Sequence, residues 1–504
     1  METTPYDQVR YPGKFYPQAS ADRLATLGRL CGLASALPAR CRLLELGCGD
    51  GGHLIPQALA FPQARFVGID LAATAIAEGR QALAALGLDN LELRVGDIGE
   101  VDPGPEPFDF IVAHGVLSWV PATVRQRLMD LCARCLAPQG VAYISYSALP
   151  GGYLRHVPRD LMRFHTRAIA DPQQRPRAAR EAVDFMLAAV PGQAFTRELI
   201  EREMAGFEGK DYFLLHDLLA EDNEPLYFLD FIDAATACGL QYLAEAEFGA
   251  MSTAAYPGPV RRRLEAMPRL EREQYIDFLQ LRRFRQTLLC RQGLVVDPAV
   301  TEPRLDGLWL STRALPACPD AEPHAAAALE FRHPYQGSFR AAEPLAKALL
   351  CALAAGDPRG MRYADASAAV ARALQGPAPE AAARLAPAAP LLPALLALYA
   401  RDLVEIHAAR WTHATAVGER PRASPYVRRL AERGAPVVNG AHGTFLLPTP
   451  MLRRLVALLD GTRDAAELLE ALVAASPPDE REALSPESLQ RRLLLLAQNA
   501  LLVD

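Results

Sequence analysis

The sequence predicts an α/β protein whose N-terminal part is a Rossmann-like, doubly wound sheet. Two observations indicate this fold. Short apolar stretches alternate with segments of helical length, in the order strand, helix, strand, helix. The first apolar stretch also runs into a glycine-rich turn at residues 47–52, and the next one ends in the acidic residue Asp70. A glycine-rich turn followed by an acidic residue about twenty positions later is typical of sites that bind an adenosine-bearing cofactor.

The elements of this domain follow in a regular order. Strands are predicted in the stretches 43–46, 66–70, 91–98, 108–119 and 141–146, and helices at 72–86 and 122–136. The proline- and glycine-rich turn at 150–153 ends the fifth strand. Because ligands of open parallel sheets lie beyond the carboxyl ends of the strands, we expect the site there, with residues 114–119 forming one wall.

The identity of the cofactor depends on Glu45. The glycine spacing also fits the dinucleotide motif G-x-G-x-x-G, so a nicotinamide or flavin enzyme is an alternative. A carboxylate inside an apolar strand is costly to bury, however, and would repel a pyrophosphate. The ammonium and sulfonium groups of S-adenosylmethionine would remove both objections. The order Glu45-x-Gly47-x-Gly49 moreover resembles the opening of the cofactor site in class I methyltransferases.

That resemblance implies a set of cofactor contacts. Asp70 is expected to accept hydrogen bonds from the ribose hydroxyls, and Asp97 to face the adenine amino group, with a turn- or helix-capping role as its alternative. The full set of predicted cofactor-binding residues is Glu45, Gly47, Cys48, Gly49, Asp70, Leu71, Asp97, Ile98, His114 and Gly115.

Methyl transfer from a sulfonium is an in-line displacement that requires alignment more than a metal or a strong base. The candidate catalytic residues are therefore groups that could shape a channel: Trp119 and Tyr146, with Tyr153 as a further ring of its lining, and His114 as a wall or proton relay. For Trp119 the alternative is a core position. No metal site is predicted, and Cys132 and Cys135 are expected to be structural.

The resemblance extends beyond the first domain. The stretches 11–18, 22–27, 114–121, 216–228, 239–246 and 282–290 resemble bacterial methyltransferases that carry a methyltransferase regulatory domain, including rickettsial lysine methyltransferases of outer-membrane proteins. This resemblance implies a mostly helical regulatory domain, a winged-helix-like α+β C-terminal domain, and a protein lysine substrate, possibly an extended polypeptide. Gly152 departs from the family pattern, where we expect an aromatic residue.

The predicted division is a methyltransferase domain at 1–155 with an N-terminal lid, a helical regulatory domain at 156–300, a linker and helical region at 301–434, and a winged-helix-like domain at 435–504. Residues 6–17, rich in tyrosine and proline, form the lid or, alternatively, a surface strap. A linker is expected around 316–319. Three functions are compatible with the sequence: a protein lysine methyltransferase, a small-molecule methyltransferase, and a cofactor-binding regulatory or interaction protein.

The composition of the chain limits which partners and which compartment are expected. The 504 residues carry a net charge of −6, which disfavours a broad basic surface for nucleic acid. No apolar stretch is long enough to predict a membrane span, and no signal peptide is recognised, so a cytoplasmic protein is expected. The nine scattered cysteines suit a reducing compartment. The oligomeric state is not predicted.

Overall fold

The structure, a computed structural model, describes residues 7, 9–192, 194–207, 209–318, 322–324, 326–375 and 390–503. Its largest element is a seven-stranded sheet. The strands are β1 (Arg42–Leu46), β2 (Arg65–Asp70), β3 (Leu91–Val95), β4 (Phe108–Ala113), β5 (Leu136–Ser147), β6 (Leu240–Glu245) and β7 (Phe284–Arg291). They lie in the order β3-β2-β1-β4-β5-β7-β6. β1 to β5 are parallel, whereas β7 is antiparallel to both neighbours. The predicted Rossmann-like sheet is confirmed.

Helices cover both faces of this sheet, which is why its strands are apolar on both sides. The first four helices are α1 (Ala21–Leu30), α2 (Leu54–Ala60), α3 (Ala73–Leu86) and α4 (Ala122–Cys135). α1, α2 and α3 pack on one face, and α4 packs on the other. The strand order reverses between β1 and β4, so a crevice opens beyond the carboxyl ends of these two strands.

A helical unit follows β5. It comprises α5 (Gly152–Thr166), α6 (Arg175–Ala189), α7 (Phe195–Met204), the short α8 (Asp211–Phe213) and a π-helical turn, Leu214–Leu218. Met162, Ile200 and Leu214 lie in its separate apolar core. In the π-helical turn Leu219 N–H donates to the Leu214 carbonyl at 2.8 Å. Such turns widen a helix by one residue and are frequent at functional sites.

The segment predicted as a mostly helical regulatory domain, 156–300, contains strands that belong to the sheet of the first domain, so the sheet extends past the predicted boundary at residue 155. After the helical unit the chain returns to the sheet through α9 (Phe228–Ala237), β6, α10 (Gly258–Glu265), α11 (Arg269–Gln280) and β7. Phe228 and Phe231 of α9 belong to the same core as α4. The helical unit is thus an insertion between β5 and β6, and two strands that follow it complete the sheet.

The middle of the chain, predicted as a linker and helical region, contains short strands as well as helices. It contains α12 (Pro344–Ala355), α13 (Tyr363–Gln375), α14 (Leu391–Tyr399) and the strands β8 (Trp309–Ser311), β9 (Leu315–Pro316), β10 (Leu329–His333), β11 (Gly337–Ala341), β12 (Met361–Arg362) and β13 (Glu405–His407). They form two three-stranded sheets. Leu310, Phe331 and Leu349 share an apolar core with α1, so this region packs directly on the first domain. Of the expected linker, Pro319 lies outside the described residues.

The C-terminal unit has its own core and is α+β, as predicted. It contains β14 (Arg422–Ala423), α15 (Pro425–Glu432), β15 (Val437–Val438), β16 (Thr444–Phe445), α16 (Pro450–Leu458), α17 (Ala465–Ala475), α18 (Pro478–Arg481), α19 (Pro486–Gln498) and β17 (Leu502–Val503). β14 pairs with β17. Ala414 and Ala423 already belong to this core, so the unit begins about twenty residues before the predicted 435.

No helix within the described part of the chain combines the length and the apolar character that a membrane crossing requires.

Candidate active site

The turn after β1 contains glycines where its backbone has a positive φ, a conformation that residues with a side chain rarely adopt. Gly47 has φ 76° and Gly49 has φ 56°. A Cβ added at Gly47 would lie 2.6 Å from Val116 Cγ2, and one at Gly49 would meet no atom within 4 Å. Gly47 and Cys48 donate their N–H groups to the Ile69 carbonyl, at 2.8 and 3.2 Å, which fixes the turn against β2. The backbone can therefore approach a ligand closely.

Asp70 closes this turn from the end of β2. Its Oδ2 accepts from Gly49 N–H at 2.7 Å and its Oδ1 from Ala72 N–H at 2.8 Å. Burial raises the pKa of its carboxyl, and the two backbone hydrogen bonds oppose that rise. A carboxylate has about four acceptor positions, so further donors can still bind. Leu71, 47% exposed beside it, offers an apolar surface for a ring.

Glu45 is a buried carboxyl beside the glycine turn. It is 3% exposed, and its Oε2 has no hydrogen-bond partner among the described residues. Burial, and then the negative charges of Asp70 and Asp50, raise its pKa well above the usual range. A buried carboxyl with an unsatisfied oxygen is destabilising unless a cation or a donor reaches it. The ammonium of S-adenosylmethionine fits this requirement, as the sequence predicts.

Cys48 and Asp97 have structural contacts of their own. The Cys48 thiol is buried, and burial raises its pKa well above the usual range, so it packs in the turn as a neutral group. Asp97 accepts from Gly99 N–H at 2.7 Å, which is the turn-capping role of the alternative prediction. Because Val95 pairs with Asp70, Asp97 and Ile98 lie at the same edge of the sheet as Asp70. A contact with adenine stays a prediction for both.

His114 and Gly115 follow β4 on the other side of the crevice. The His114 ring stacks on Tyr16 with a centroid separation of 3.7 Å, and its Nδ1 lies 2.8 Å from Tyr143 Oη. Burial lowers the pKa of His114 to about 4, so the imidazole is neutral at pH 7. Gly115 donates its N–H to Ser145 Oγ at 2.8 Å. His114 is thus a fixed, uncharged wall of the site.

Tyr146 does not line this site, which corrects its prediction as a catalytic residue. Its side chain is fully buried and stacks on Phe231 with a centroid distance of 4.2 Å. Trp119 ends a short 3₁₀ helix, Leu117–Trp119, and is half-buried. Its Nε1 is buried without a hydrogen-bond partner in the described part of the chain, so a channel role stays a prediction. Tyr153 is exposed at the start of α5.

The N-terminal segment 9–16, called the strap below, lies across the site. Arg10 pairs with Asp50 at 2.8 Å and with Glu78 at 2.6 Å. At its other side, the Val9 carbonyl is 2.6 Å from Nε2 of His216. The strap therefore joins the glycine turn to the helical unit, and its Tyr16 covers His114. This position agrees with a lid; Tyr6 of the predicted lid lies outside the described residues.

Two charged groups at this site were not predicted. Asp217, in the π-helical turn, has an Oδ2 that is buried without a partner among the described residues, and burial raises its pKa to about 7. Lys14 of the strap places its ammonium 4.1 Å from the ring centroid of Phe213 and 5.4 Å from that of Tyr212. Burial lowers the pKa of Lys14. Both residues lie in stretches that resemble the family, 11–18 and 216–228, but neither has a role assigned from the sequence.

Comparison with known proteins agrees with this geometry. Residues 43–140 match a family model described as a methyltransferase domain, residues 210–291 a predicted methyltransferase regulatory domain, and residues 419–493 the C-terminal winged helix domain of PKMT. Uncharacterized protein RP789 of Rickettsia prowazekii is 37% identical over 296 residues, which is 58% of this chain and 54% of that protein. RP028 of the same organism is 30% identical over 232 residues, 46% of this chain and 93% of RP028.

The chain belongs to the class I S-adenosylmethionine-dependent methyltransferases with a methyltransferase regulatory domain. The family, the fold class and the cofactor predicted from the sequence are thereby confirmed. The fold is also that of PKMT2 from Rickettsia typhi in complex with AdoHcy, with a TM-score of 0.85, 22% identity, and coverage of 98% of this chain and 100% of PKMT2. The match spans only about half the length of RP789.

Proposed function

We propose that this methyltransferase transfers methyl groups from S-adenosylmethionine to lysine side chains of protein substrates. The observation that carries the proposal is the surroundings of Lys14. Its ammonium lies over the rings of Tyr11, Tyr212 and Phe213, at 5.8, 5.4 and 4.1 Å from their centroids, and the Asp217 carboxyl acts on it electrostatically. Aromatic faces with a nearby carboxylate are what a lysine ammonium requires.

The position of this aromatic cluster supports the proposal further. The Lys14 ammonium acts electrostatically on His114, and Asp217 and Tyr212 act on Tyr16, so the cluster lies close to the crevice. Tyr16 packs on His114 at the crevice. A substrate lysine held near the cluster would therefore be adjacent to the place where the methyl group is expected. The PKMT winged-helix match and the resemblance to rickettsial lysine methyltransferases agree with this substrate class.

The residues of this chain would divide the work of methyl transfer. When bound, S-adenosylmethionine supplies the methyl group, which leaves its sulfur and forms a bond to the lysine nitrogen. Glu45 would pair with the cofactor ammonium, and Asp70 would accept from the ribose hydroxyls. The amine must lose its proton to water before it can attack. Burial favours the neutral amine, as it does for Lys14, whose pKa is lowered by burial and then by the charge of Lys210. Neutral His114 and Tyr16 exclude water from the site.

Glu45→Gln should separate folding from cofactor binding. Because the pKa of Glu45 is raised in the folded protein, the stability linked to its proton is present at low pH and is lost as pH rises. We therefore expect the variant to melt at a higher temperature than the wild type without cofactor, with the larger gain at pH 9 than at pH 6. Its affinity for S-adenosylmethionine should fall by about 10- to 100-fold, the effect of one hydrogen bond to a charged group.

The measurement is thermal unfolding at both pH values, with calorimetric titration of the cofactor. Glu100→Gln, at an exposed position near the same edge, is the matched control and should change neither quantity. If Glu45→Gln bound the cofactor as tightly as the wild type, the ammonium contact would be contradicted.

Asp217→Asn should weaken binding of the acceptor lysine. Since burial raises the pKa of Asp217 to about 7, its negative charge appears as pH rises through 7. We expect the KM of the wild type for a lysine-containing, unfolded polypeptide to fall across this range. In the variant the KM should be about 10-fold higher at pH 8 and show no such step, because a charged contact is worth about 1.5 kcal/mol.

Label transfer from methyl-tritiated S-adenosylmethionine to the polypeptide, measured from pH 6 to 9, tests this expectation. Asp211→Asn, an exposed aspartate six positions earlier, is the control. The substitution should weaken lysine binding at pH 8 but stabilise the fold. The raised pKa of Asp217 stabilises the protein below about pH 4, and this contribution is lost as pH rises through 7. The variant should therefore melt at a higher temperature than the wild type at pH 8. If Asp217→Asn had the same KM as the wild type at pH 8, the proposed role of Asp217 in binding the acceptor lysine would be contradicted.

A further inference from the structure

A second polar cavity lies apart from the crevice at the sheet. It has a volume of about 260 Å³ and lies between α1, β13 and the hairpin that connects β15 and β16. None of the residues that line it is a predicted cofactor contact. Its size is close to the lower limit of ligand pockets, about 300 Å³. The cavity therefore raises the question of what its polar walls bind.

The walls carry more positive than negative charge. Arg23, Arg313 and His407 face two carboxylates, Asp22 and Glu405. Burial lowers the pKa of His407, but its hydrogen bonds to Asp22 Oδ2 (2.9 Å) and Glu405 Oε2 (3.3 Å) outweigh this effect and raise it to about 9. At neutral pH the lining thus carries three cations and two anions, and the nearby carboxylate of Asp402 also acts on Arg23.

The carboxylates are already engaged, whereas the guanidinium groups have donors left. Asp22 accepts from His407 and from Ala409 N–H at 2.9 Å. Arg23 donates from Nη1 to Tyr399 Oη at 2.9 Å. Arg313 donates from Nη1 to Tyr335 Oη at 3.3 Å and pairs through Nε with Glu405 Oε1 at 3.4 Å, which leaves its Nη2 donors. Each guanidinium has five N–H donors in a planar fork, which suits a carboxylate or phosphate. The groups of the wall that can still form hydrogen bonds are therefore mainly N–H donors.

His442 is the second, independent sign of a ligand. It is 5% exposed, and neither ring nitrogen has a hydrogen-bond partner among the described residues. The rings of Phe15, Phe61 and Trp411 lie around it at centroid distances of 5.1, 5.7 and 4.9 Å. None of these three rings forms a hydrogen bond with the His442 nitrogens, so a hydrogen-bond partner has to come from the cavity that His442 lines.

A hydrolytic role for this cluster is disfavoured by its geometry. Ser311 Oγ lies 3.1 Å from Nε2 of His407, and Nδ1 of His407 faces Asp22, which is the order of a Ser-His-Asp triad. The Nε2 atom that would take the serine proton is already occupied, because Glu405 Oε2 and Trp411 Nε1 each lie 3.3 Å from it. The serine hydroxyl therefore has no free base beside it, and the cluster is suited to binding.

We propose that this cavity binds a small anion with a carboxylate or phosphate group, held by Arg23, Arg313 and His442. The proposal does not depend on the identity of the methyl acceptor. The cavity is also connected to the crevice, because Phe15 touches His442 while the next residue, Tyr16, stacks on His114. A bound anion would thereby stabilise the strap in its covering position, and anion and cofactor would strengthen each other's binding.

The test is calorimetric titration of the full chain with inorganic phosphate and, separately, with succinate. We expect saturable one-site binding of at least one probe; a preference for phosphate or for succinate tells the two ligand sources apart. Arg313→Gln and His442→Phe should each weaken that binding at least 10-fold, and Arg332→Gln, at an exposed position on β10, should leave it unchanged. Wild-type fluorescence should report the same binding through Trp411, and Trp411→Phe should remove that signal.

Two results would overturn the proposal. One is the absence of saturable binding for both probes in a protein that is folded by circular dichroism. The other is binding of equal strength in the wild type, Arg313→Gln and His442→Phe. His442 has φ 53°, a backbone conformation that phenylalanine tolerates less well than histidine, so His442→Phe is compared with the wild type by thermal unfolding, and Arg313→Gln tests the same site without this backbone effect.

Discussion

Asp70→Ala should raise the dissociation constant for S-adenosylmethionine by at least about 100-fold. The substitution removes the proposed acceptor for two ribose hydroxyls, each hydrogen bond to a charged group being worth about 1.5–3 kcal/mol. It also releases the N–H groups of Gly49 and Ala72, which Asp70 holds at 2.7 and 2.8 Å, so the glycine turn loses its fixed shape. Titration calorimetry with S-adenosylmethionine and S-adenosylhomocysteine measures the effect.

The control for Asp70→Ala is Asp89→Ala, which removes an exposed carboxylate at the opposite end of the sheet and should bind like the wild type. Asp70→Asn keeps the size of the side chain and one acceptor oxygen, so its affinity should lie between those of the wild type and the alanine variant. Wild-type affinity in Asp70→Ala would mean that the ligand binds elsewhere, and the cofactor site assigned to the crevice would be wrong.

Tyr16→Ala should lower kcat/KM for methyl transfer by about 10- to 100-fold, equivalent to about 1.4–2.7 kcal/mol. Its ring covers His114 at 3.7 Å and lies close enough to Glu45 for the carboxylate to raise its pKa, so its removal opens the site to water. The strap would keep its anchors at Arg10 and Val9. Initial rates of label transfer at saturating cofactor measure the loss.

Tyr16→Phe separates the ring from the hydroxyl. Since the covering function depends on the ring, we expect the phenylalanine variant to stay within about 3-fold of the wild type. Both variants should be compared by thermal unfolding, so that the lost activity of Tyr16→Ala can be separated from lost folding. Equal losses in both variants would contradict a covering role and would assign the effect to the hydroxyl.

Much of the sheet could be predicted from the sequence because its determinants are local. The apolar stretch of β1, the glycine turn and Asp70 are neighbours in the chain, and the structure places them as expected. The completion of the sheet is different. β6 and β7 pair with each other and with β5 only after a long helical insertion, and no local pattern encodes such distant pairing.

The error at Tyr146 has a specific physical reason. Side chains alternate between the two faces of a strand, so Tyr143 and Ser145 of β5 face His114 while Tyr146 faces the other side. β5 is buried without interruption over residues 140–146, so its sequence does not indicate which face meets the site. Asp217 could not be assigned for a related reason: a π-helical turn and the distant strap together create its environment.

The most direct test of the central claim is the chemical identity of the methylated product. The full chain is incubated with methyl-tritiated S-adenosylmethionine and a bacterial cell extract, and the labelled material is separated by size and hydrolysed to amino acids. We predict that the label is found in protein and elutes as methylated lysine, and that Asp70→Ala transfers none. Label confined to small molecules, or none in a wild type that binds the cofactor, would contradict protein lysine methylation.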